Sequence, residues 1–168
     1  MKSLVESRQA PSLGDRVALH QARYRHAQKE VGRIWIAVDG KEVAAFATHM
    51  GWAKVRPLAD SLMDARDAWG TTAAYAEATA DAESQLRAAG EFSDTKALVD
   101  LEGYLSQTVE DALASPSPLV RALAMLDARL GKRRLRALEL PPTEHPLVRC
   151  MYTLRCAAEG VPVSAAAV

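Results

Sequence analysis

The sequence has few aromatic side chains and few cysteines, and both shortages limit how its core can be built. Aromatic residues make up 5% of the chain, and the only cysteines are Cys150 and Cys156. In a helix these two would lie about 9 Å apart along the axis, too far for a disulfide. We therefore expect reduced thiols, as in a cytoplasmic protein. The core should consist of Leu, Val and Ala, with Trp35, Trp52 and Trp69 as large fillers.

Long apolar runs are also missing. No stretch approaches the ~18 apolar residues that a membrane-spanning helix needs. The N-terminal residues MKSLVESRQAPS contain one lysine with no apolar segment behind it, so they do not resemble a secretory signal. We expect no membrane partner and a cytoplasmic location.

Common catalytic and cofactor motifs are absent as well. The sequence contains no phosphate-binding loop, no glycine-rich dinucleotide turn, no HExxH and no GxSxG. Its four histidines are scattered without the paired spacing of metal ligands, so we expect no metal and no cofactor. No catalytic residues are predicted, and an enzyme of unrecognised type is only a third alternative.

The first third of the sequence contains three segments typical of β-strands. Residues 16–24, 33–38 and 41–48 alternate apolar and other side chains, and the second segment places Trp35 opposite the face of its isoleucines. Asp39-Gly40 favours a tight hairpin turn, because both turn positions need positive φ. The segments predict a three-stranded antiparallel sheet.

The remaining sequence has helical apolar spacing. One stripe runs along a predicted helix from residue 94 to about 114, and another runs along a helix that starts at Pro118 and stops at Gly131. We predict that these helices pack on each other through Leu98, Leu101, Leu105, Leu119, Leu123 and Leu126. The predicted fold is α+β, with the N-terminal sheet followed by about five helices. We expect a single domain over residues 1–160 and a disordered tail at 161–168.

The net charge of zero conceals strong segregation. Residues 1–50 carry eight basic and five acidic side chains, residues 51–115 carry five and twelve, and residues 116–168 carry eight and four. An acidic middle in an otherwise basic chain favours docking of a basic protein. Solvation of the same carboxylates is the simpler interpretation. The candidate docking residues are Asp60, Asp64, Asp67, Glu77, Asp81 and Glu83.

A second candidate partner-binding face lies on the predicted sheet. Arg23 and Arg25 are close in sequence to the strand that carries Trp35, and a sheet covered by helices on one side leaves its other face to water. Arginine and tryptophan are enriched where proteins bind each other. We treat this face as an alternative to the acidic residues.

A basic cluster, Lys132, Arg133, Arg134 and Arg136, supports a nucleic-acid alternative. The residues that begin the preceding helix are apolar and cannot read base edges. The cations follow that helix, where they complement its dipole or contact the acidic middle of the chain. Nucleic acid is therefore the weaker partner prediction.

Three segments resemble an uncharacterised family of small bacterial cytosolic proteins. They are residues 22–43 (ARYRHAQKEVGRIWIAVDGKEV), 115–138 (SPSPLVRALAMLDARLGKRRLRAL) and 144–160 (EHPLVRCMYTLRCAAEG). The resemblance implies a cytosolic bacterial protein and supplies no activity. By analogy with other small, motif-free proteins that are acidic in one segment, we expect a protein-binding module. Its specific form would be an immunity protein that occludes the active site of a basic toxin domain; the oligomeric state stays open.

Overall fold

The computed structural model describes residues 1–23, 32–47, 54–67, 69–89 and 91–163. Strands β1 (Val17–Arg23), β2 (Gly32–Val38) and β3 (Lys41–Ala47) form an antiparallel meander, which confirms the predicted sheet. A fourth strand, β4 (Glu91–Ser93), adds to β3 in parallel and was not predicted. Three residues are too few to show strand alternation, so this pairing leaves no pattern in the sequence.

Helices make up most of the rest of the fold. Five of them have nine or more residues, in agreement with the predicted number, and shorter helices join them. No helix in the described ranges could cross a membrane. The helices are α1 (Lys2–Glu6), a 3₁₀ helix (Pro11–Arg16), α2 (Arg56–Arg66), α3 (Thr72–Ala88), α4 (Asp94–Ser106), α5 (Val109–Leu113), α6 (Pro118–Leu126), α7 (Lys132–Ala137) and α8 (Pro146–Glu159).

The predicted hairpin turn is confirmed between β2 and β3. Asp39 has φ 49° and Gly40 has φ 78°, so both turn residues are left-handed. Arg16 fixes the turn from outside, because its Nε donates to Asp39 Oδ1 at 2.8 Å. The hydrogen bond to Arg16 lowers the pKa of the Asp39 carboxyl.

The main core lies between one face of the sheet and helices α4, α5, α6 and α8. Its largest fully buried side chains are Tyr104, Tyr152 and Phe46. The prediction that tryptophans fill the core is wrong for both tryptophans that the structure describes. Trp35 is half-buried on the other face of the sheet, and Trp69 is 56% exposed. Trp52 lies outside the described residues.

Helices α4 and α6 pack together as predicted. Five of the six predicted leucines are buried or half-buried, whereas Leu98 is 37% exposed and does not belong to the stripe. The long helix predicted up to residue 114 is also wrong, because α4 ends at Ser106 and α5 begins afresh. Thr108 caps α5 by accepting a hydrogen bond from the Asp111 N–H at 3.1 Å.

Helix α6 begins as predicted and ends early. Ser117 is its N-cap and Pro118 its first residue, but the helix stops at Leu126 rather than at Gly131. The N-terminal segment replaces the next turn: Ala10 N–H donates to Leu126 C=O at 2.8 Å. Leu130 lies beyond the helix end but is still buried, so the apolar spacing that predicted a longer helix continues into the following segment.

The packed part of the chain continues beyond α8. Gly160 ends that helix with φ 65°, and the Val161 N–H then donates to Cys156 C=O at 2.9 Å. Val161 is buried and Val163 packs against the main core. The tail predicted from residue 161 is therefore packed as far as Val163, and residues 164–168 lie outside the described ranges.

Candidate functional site

The acidic candidates lie on a helical hairpin with its own small core. Helices α2 and α3 pack against each other through Val55, Ala59, Met63, Ala78 and Ala82, separately from the main core. The hairpin forms the connection between β3 and the parallel strand β4. Small alanines at the contact let the two helices approach closely, and most other side chains of the pair remain available at the surface.

The hairpin tip presents a tryptophan to solvent. Asp67, in the left-handed conformation with φ 47°, ends α2, and Thr71 starts α3 by accepting a hydrogen bond from Ala74 N–H at 3.1 Å. Between them, Trp69 Nε1 donates to Asp64 Oδ1 at 2.6 Å. The hydrogen bond fixes the indole while more than half of its surface stays exposed.

The six candidate carboxylates divide into two sets. Asp64, Asp67 and Glu77 are exposed, whereas the other three are half-buried. Asp81 forms an ion pair with Arg66, and Asp60 lies 4.0 Å from Arg56. The structure therefore brings Asp64 and Asp67 together at the tip, and it places Asp60 and Asp81 beside arginines of the same hairpin.

The outer face of the sheet carries the second candidate, Trp35. Its ring stacks on His20, with ring centres 5.0 Å apart and planes inclined by 13°, and Arg33 lies over it with its guanidinium carbon 5.1 Å from the ring centre. Arg33 also pairs with Glu42. Of the two predicted arginines, Arg25 lies outside the described residues, and Arg23 is described only as the last residue of β1.

The basic cluster on α7 is partly neutralised by its own chain. Arg134 pairs with Glu110 of α5, and Lys132 Nζ lies 3.0 Å from the Glu159 carboxylate. The first pair is the predicted contact between the cations and the acidic middle of the chain. Arg133 and Arg136 are exposed. The cluster therefore offers fewer free cations than the sequence suggests.

A buried ionic network was missed by sequence reasoning. Asp127 is fully buried directly after α6, where it accepts hydrogen bonds from the Tyr104 hydroxyl at 2.7 Å and from Arg129 at 2.7 Å. Burial alone would raise the pKa of Asp127, but the bonds from Arg129 and Tyr104 outweigh it and lower that pKa. Burial raises the pKa of the Tyr104 hydroxyl, which stays a donor.

The same network holds the N-terminal segment in place. Arg8 donates to the carbonyls of Tyr104 and Leu105 at the end of α4, and its own carbonyl accepts from the Ala128 N–H at 2.7 Å. Buried Arg155 donates to Leu126 C=O at 3.1 Å from the other side. These groups bond the ends of three helices to one another, so we assign them a structural role.

Within the ranges that the structure describes, no three His, Cys, Asp or Glu side chains come together where they could hold a metal ion. Neither the curated proteins nor the solved structures include a match to the chain. A family model does match, over residues 1–156. It spans the first two segments on which the resemblance rested and all of the third except residues 157–160. The chain therefore belongs to the SF0329 protein family.

Proposed function

We propose that this protein is a protein-binding module that docks a basic partner through the tip of the α2–α3 hairpin. The observation that carries the proposal is Trp69, which is 56% exposed and fixed by Asp64. Tryptophan is the side chain most enriched at binding hot spots, because it buries a large area and loses little conformational entropy. The neighbouring carboxylates of Asp64 and Asp67 favour a partner whose binding surface is basic.

Comparison with the sheet supports the choice of the tip. The Trp35 ring is half-buried and already contacts His20 and Arg33, so less of its surface is free for a partner. The charges of Arg33 and Glu42 also compensate each other. At the tip, by contrast, the exposed ring and the exposed carboxylates lie within six residues of one another, from the last turn of α2 to the turn that follows it.

The specific form that the analogy with other small, motif-free proteins suggests is an immunity protein. A toxin domain that acts on nucleic acid or another anionic substrate has a basic active-site surface, and an acidic tip could cover it. Complementary charge would speed association, and the Trp69 indole, once buried in the interface, would slow dissociation. Within the proposed class, a basic toxin domain is therefore the partner chemistry that we favour.

The basic cluster gives a weaker second candidate. Binding to nucleic acid depends on the number of phosphates that cations can neutralise. Internal ion pairs of Arg134 and Lys132 reduce that number. We therefore rank a nucleic-acid function below a protein-binding function.

A pull-down from the source cell tests the proposal. Immobilised wild-type protein and a Trp69→Ala variant are compared side by side, with Glu139→Gln as a control for an exposed site outside the hairpin. We expect a protein with basic surface charge to be retained by wild type and control and lost from the variant. Equal retention on all three would contradict the proposed tip.

A further inference from the structure

A second group of exposed apolar side chains lies outside the hairpin. Five large hydrophobic side chains are exposed in the described part of the chain, and Trp69 is one of them. The other four lie at the start of α1 or on α4, two helices that contact each other. They are Met1 (42% exposed), Leu4 (59%), Leu98 (37%) and Val99 (63%).

A helix glycine next to this patch has no explanation within one molecule. Gly103 lies one turn after Val99 in α4 and is exposed. It is not among the residues with positive φ, and a Cβ added to it would meet nothing within 4 Å. Alanine is the better helix former at such a position, so the monomer alone would favour alanine. If another chain packs closely against α4 at Gly103, the absence of a side chain there is explained.

The charges around the patch have both signs. Lys2, on α1, pairs with Glu6 at 3.7 Å and still has 49% of its side chain exposed. Glu102, on α4, is exposed and lies four residues after Leu98, on the same side of the helix. A partner of one charge would meet attraction on one helix and repulsion on the other. A second copy related by a two-fold axis presents the same two charges in the opposite order, so Lys2 of one molecule can face Glu102 of the other.

We propose that the α1–α4 patch is the interface of a symmetric homodimer. In this dimer the four apolar side chains pack on their counterparts, and the α4 helices approach each other at Gly103. The patch comes from one short helix and one face of another, and small interfaces of this kind give weak complexes. The dimer is therefore in equilibrium with the monomer, and its hairpins remain free for the basic partner.

Sedimentation equilibrium over about 10 µM to about 1 mM tests the dimer, because weak interfaces dissociate in this range. We expect the mass to rise with concentration towards twice the 18.2 kDa of one chain. Val99→Glu should weaken association at least tenfold, because it buries an unpaired charge. Trp69→Glu is the matched control on the hairpin and should dimerise normally. A monomer at all concentrations, or a dimer lost in the Trp69 variant instead, would overturn the proposal.

Two further variants test the geometry of the interface. Lys2→Glu should weaken the dimer, and adding Glu102→Lys should restore it, because the exchanged charges again face each other. Gly103→Ala should raise the melting temperature of the dilute monomer and yet weaken association. A double charge variant that stays as weak as the single one would rule out this arrangement. None of these results depends on the basic partner, so the dimer and the proposed function can fail separately.

Discussion

The Tyr104 hydroxyl donates a hydrogen bond to Asp127 Oδ2 at 2.7 Å, and both side chains are buried where helices α4 and α6 end. The same carboxylate also accepts hydrogen bonds from the Arg129 guanidinium. Because a buried charge without partners is costly, these three residues should act as one unit in stability.

Removal of either partner tests this unit. Asp127→Ala should lower the free energy of unfolding by about 3–5 kcal/mol, because it leaves Arg129 and the Tyr104 hydroxyl unpaired. Tyr104→Phe should cost about 1.5–3 kcal/mol, the range for a hydrogen bond to a charged group. Tyr75→Phe is the matched control, because Tyr75 is a half-buried tyrosine on the α2–α3 hairpin. This substitution should change the free energy of unfolding by less than about 0.5 kcal/mol. Urea denaturation measures all three, and equal costs for the two tyrosines would contradict the account.

The pH dependence of stability follows from the same residue. The folded-state pKa of Asp127 is lowered, so the folded protein releases this proton more readily than the unfolded chain. Its contribution to stability is fully present above the unfolded pKa of about 3.9 and is lost as pH falls through the folded value. We expect the melting temperature to fall more steeply below about pH 4 in wild type than in Asp127→Asn. Parallel acid profiles for the two proteins would show that Asp127 is not the group involved.

The hairpin turn between β2 and β3 should be sensitive to one substitution. Gly40→Val should cost on the order of 1–2 kcal/mol, because a β-branched residue resists the φ of 78° seen there. Lys41→Val introduces the same side chain one position later, inside a strand, and should be tolerated. Comparison of their melting temperatures checks the turn, and equal values would argue against it.

The contrast between two leucines checks the helix packing. Leu123→Ala should cost roughly 2–5 kcal/mol, because Leu123 is buried on α6 and its truncation leaves a cavity. The same substitution at Leu98, which is exposed on α4, should cost less than about 1 kcal/mol. Chemical denaturation at low protein concentration separates the two cases. Similar losses of stability in the two variants would contradict the assignment of Leu123 as buried and Leu98 as exposed.

Local patterns account for the parts of the fold that the sequence predicted. Asp39 and Gly40 encode the turn by their own conformational preferences, and Ser117 with Pro118 encodes a helix start. The family match likewise agrees with the resemblance of three sequence segments. Each of these features depends on residues close together in the chain.

The missed features depend on contacts between distant residues. Strand β4 exists because a parallel neighbour is available, and α6 ends early because Ala10 takes the hydrogen bond of the next turn. Asp127 can be buried because the Tyr104 hydroxyl reaches it from α4, 23 residues earlier in the chain, while Arg129, two residues later, pairs with the same carboxylate. The exposure of Trp69 was missed for a similar reason, since large apolar side chains are usually buried and only the tip geometry keeps this one in solvent.

Binding to nucleic acid should be absent at physiological salt. Cations that are already paired with Glu110 and Glu159 neutralise fewer phosphates and so displace fewer counterions from the nucleic acid, and this displacement drives such binding. Gel-shift and filter-binding assays with double-stranded DNA and with single-stranded RNA check this expectation. A sub-micromolar dissociation constant that rises steeply with added salt would favour the nucleic-acid alternative.

The affinity of hairpin-tip variants for the recovered partner tests the central claim most directly. Biolayer interferometry at low and physiological salt should compare wild type, Trp69→Ala, the charge-neutral pair Asp64→Asn with Asp67→Asn, and the control Glu139→Gln. We predict that Trp69→Ala weakens binding about 30-fold or more, as expected for a hot spot of 2 kcal/mol. The asparagine pair should mainly slow association and remove part of its salt dependence. Wild-type affinity in Trp69→Ala, with an unchanged melting temperature, would contradict docking at the hairpin tip.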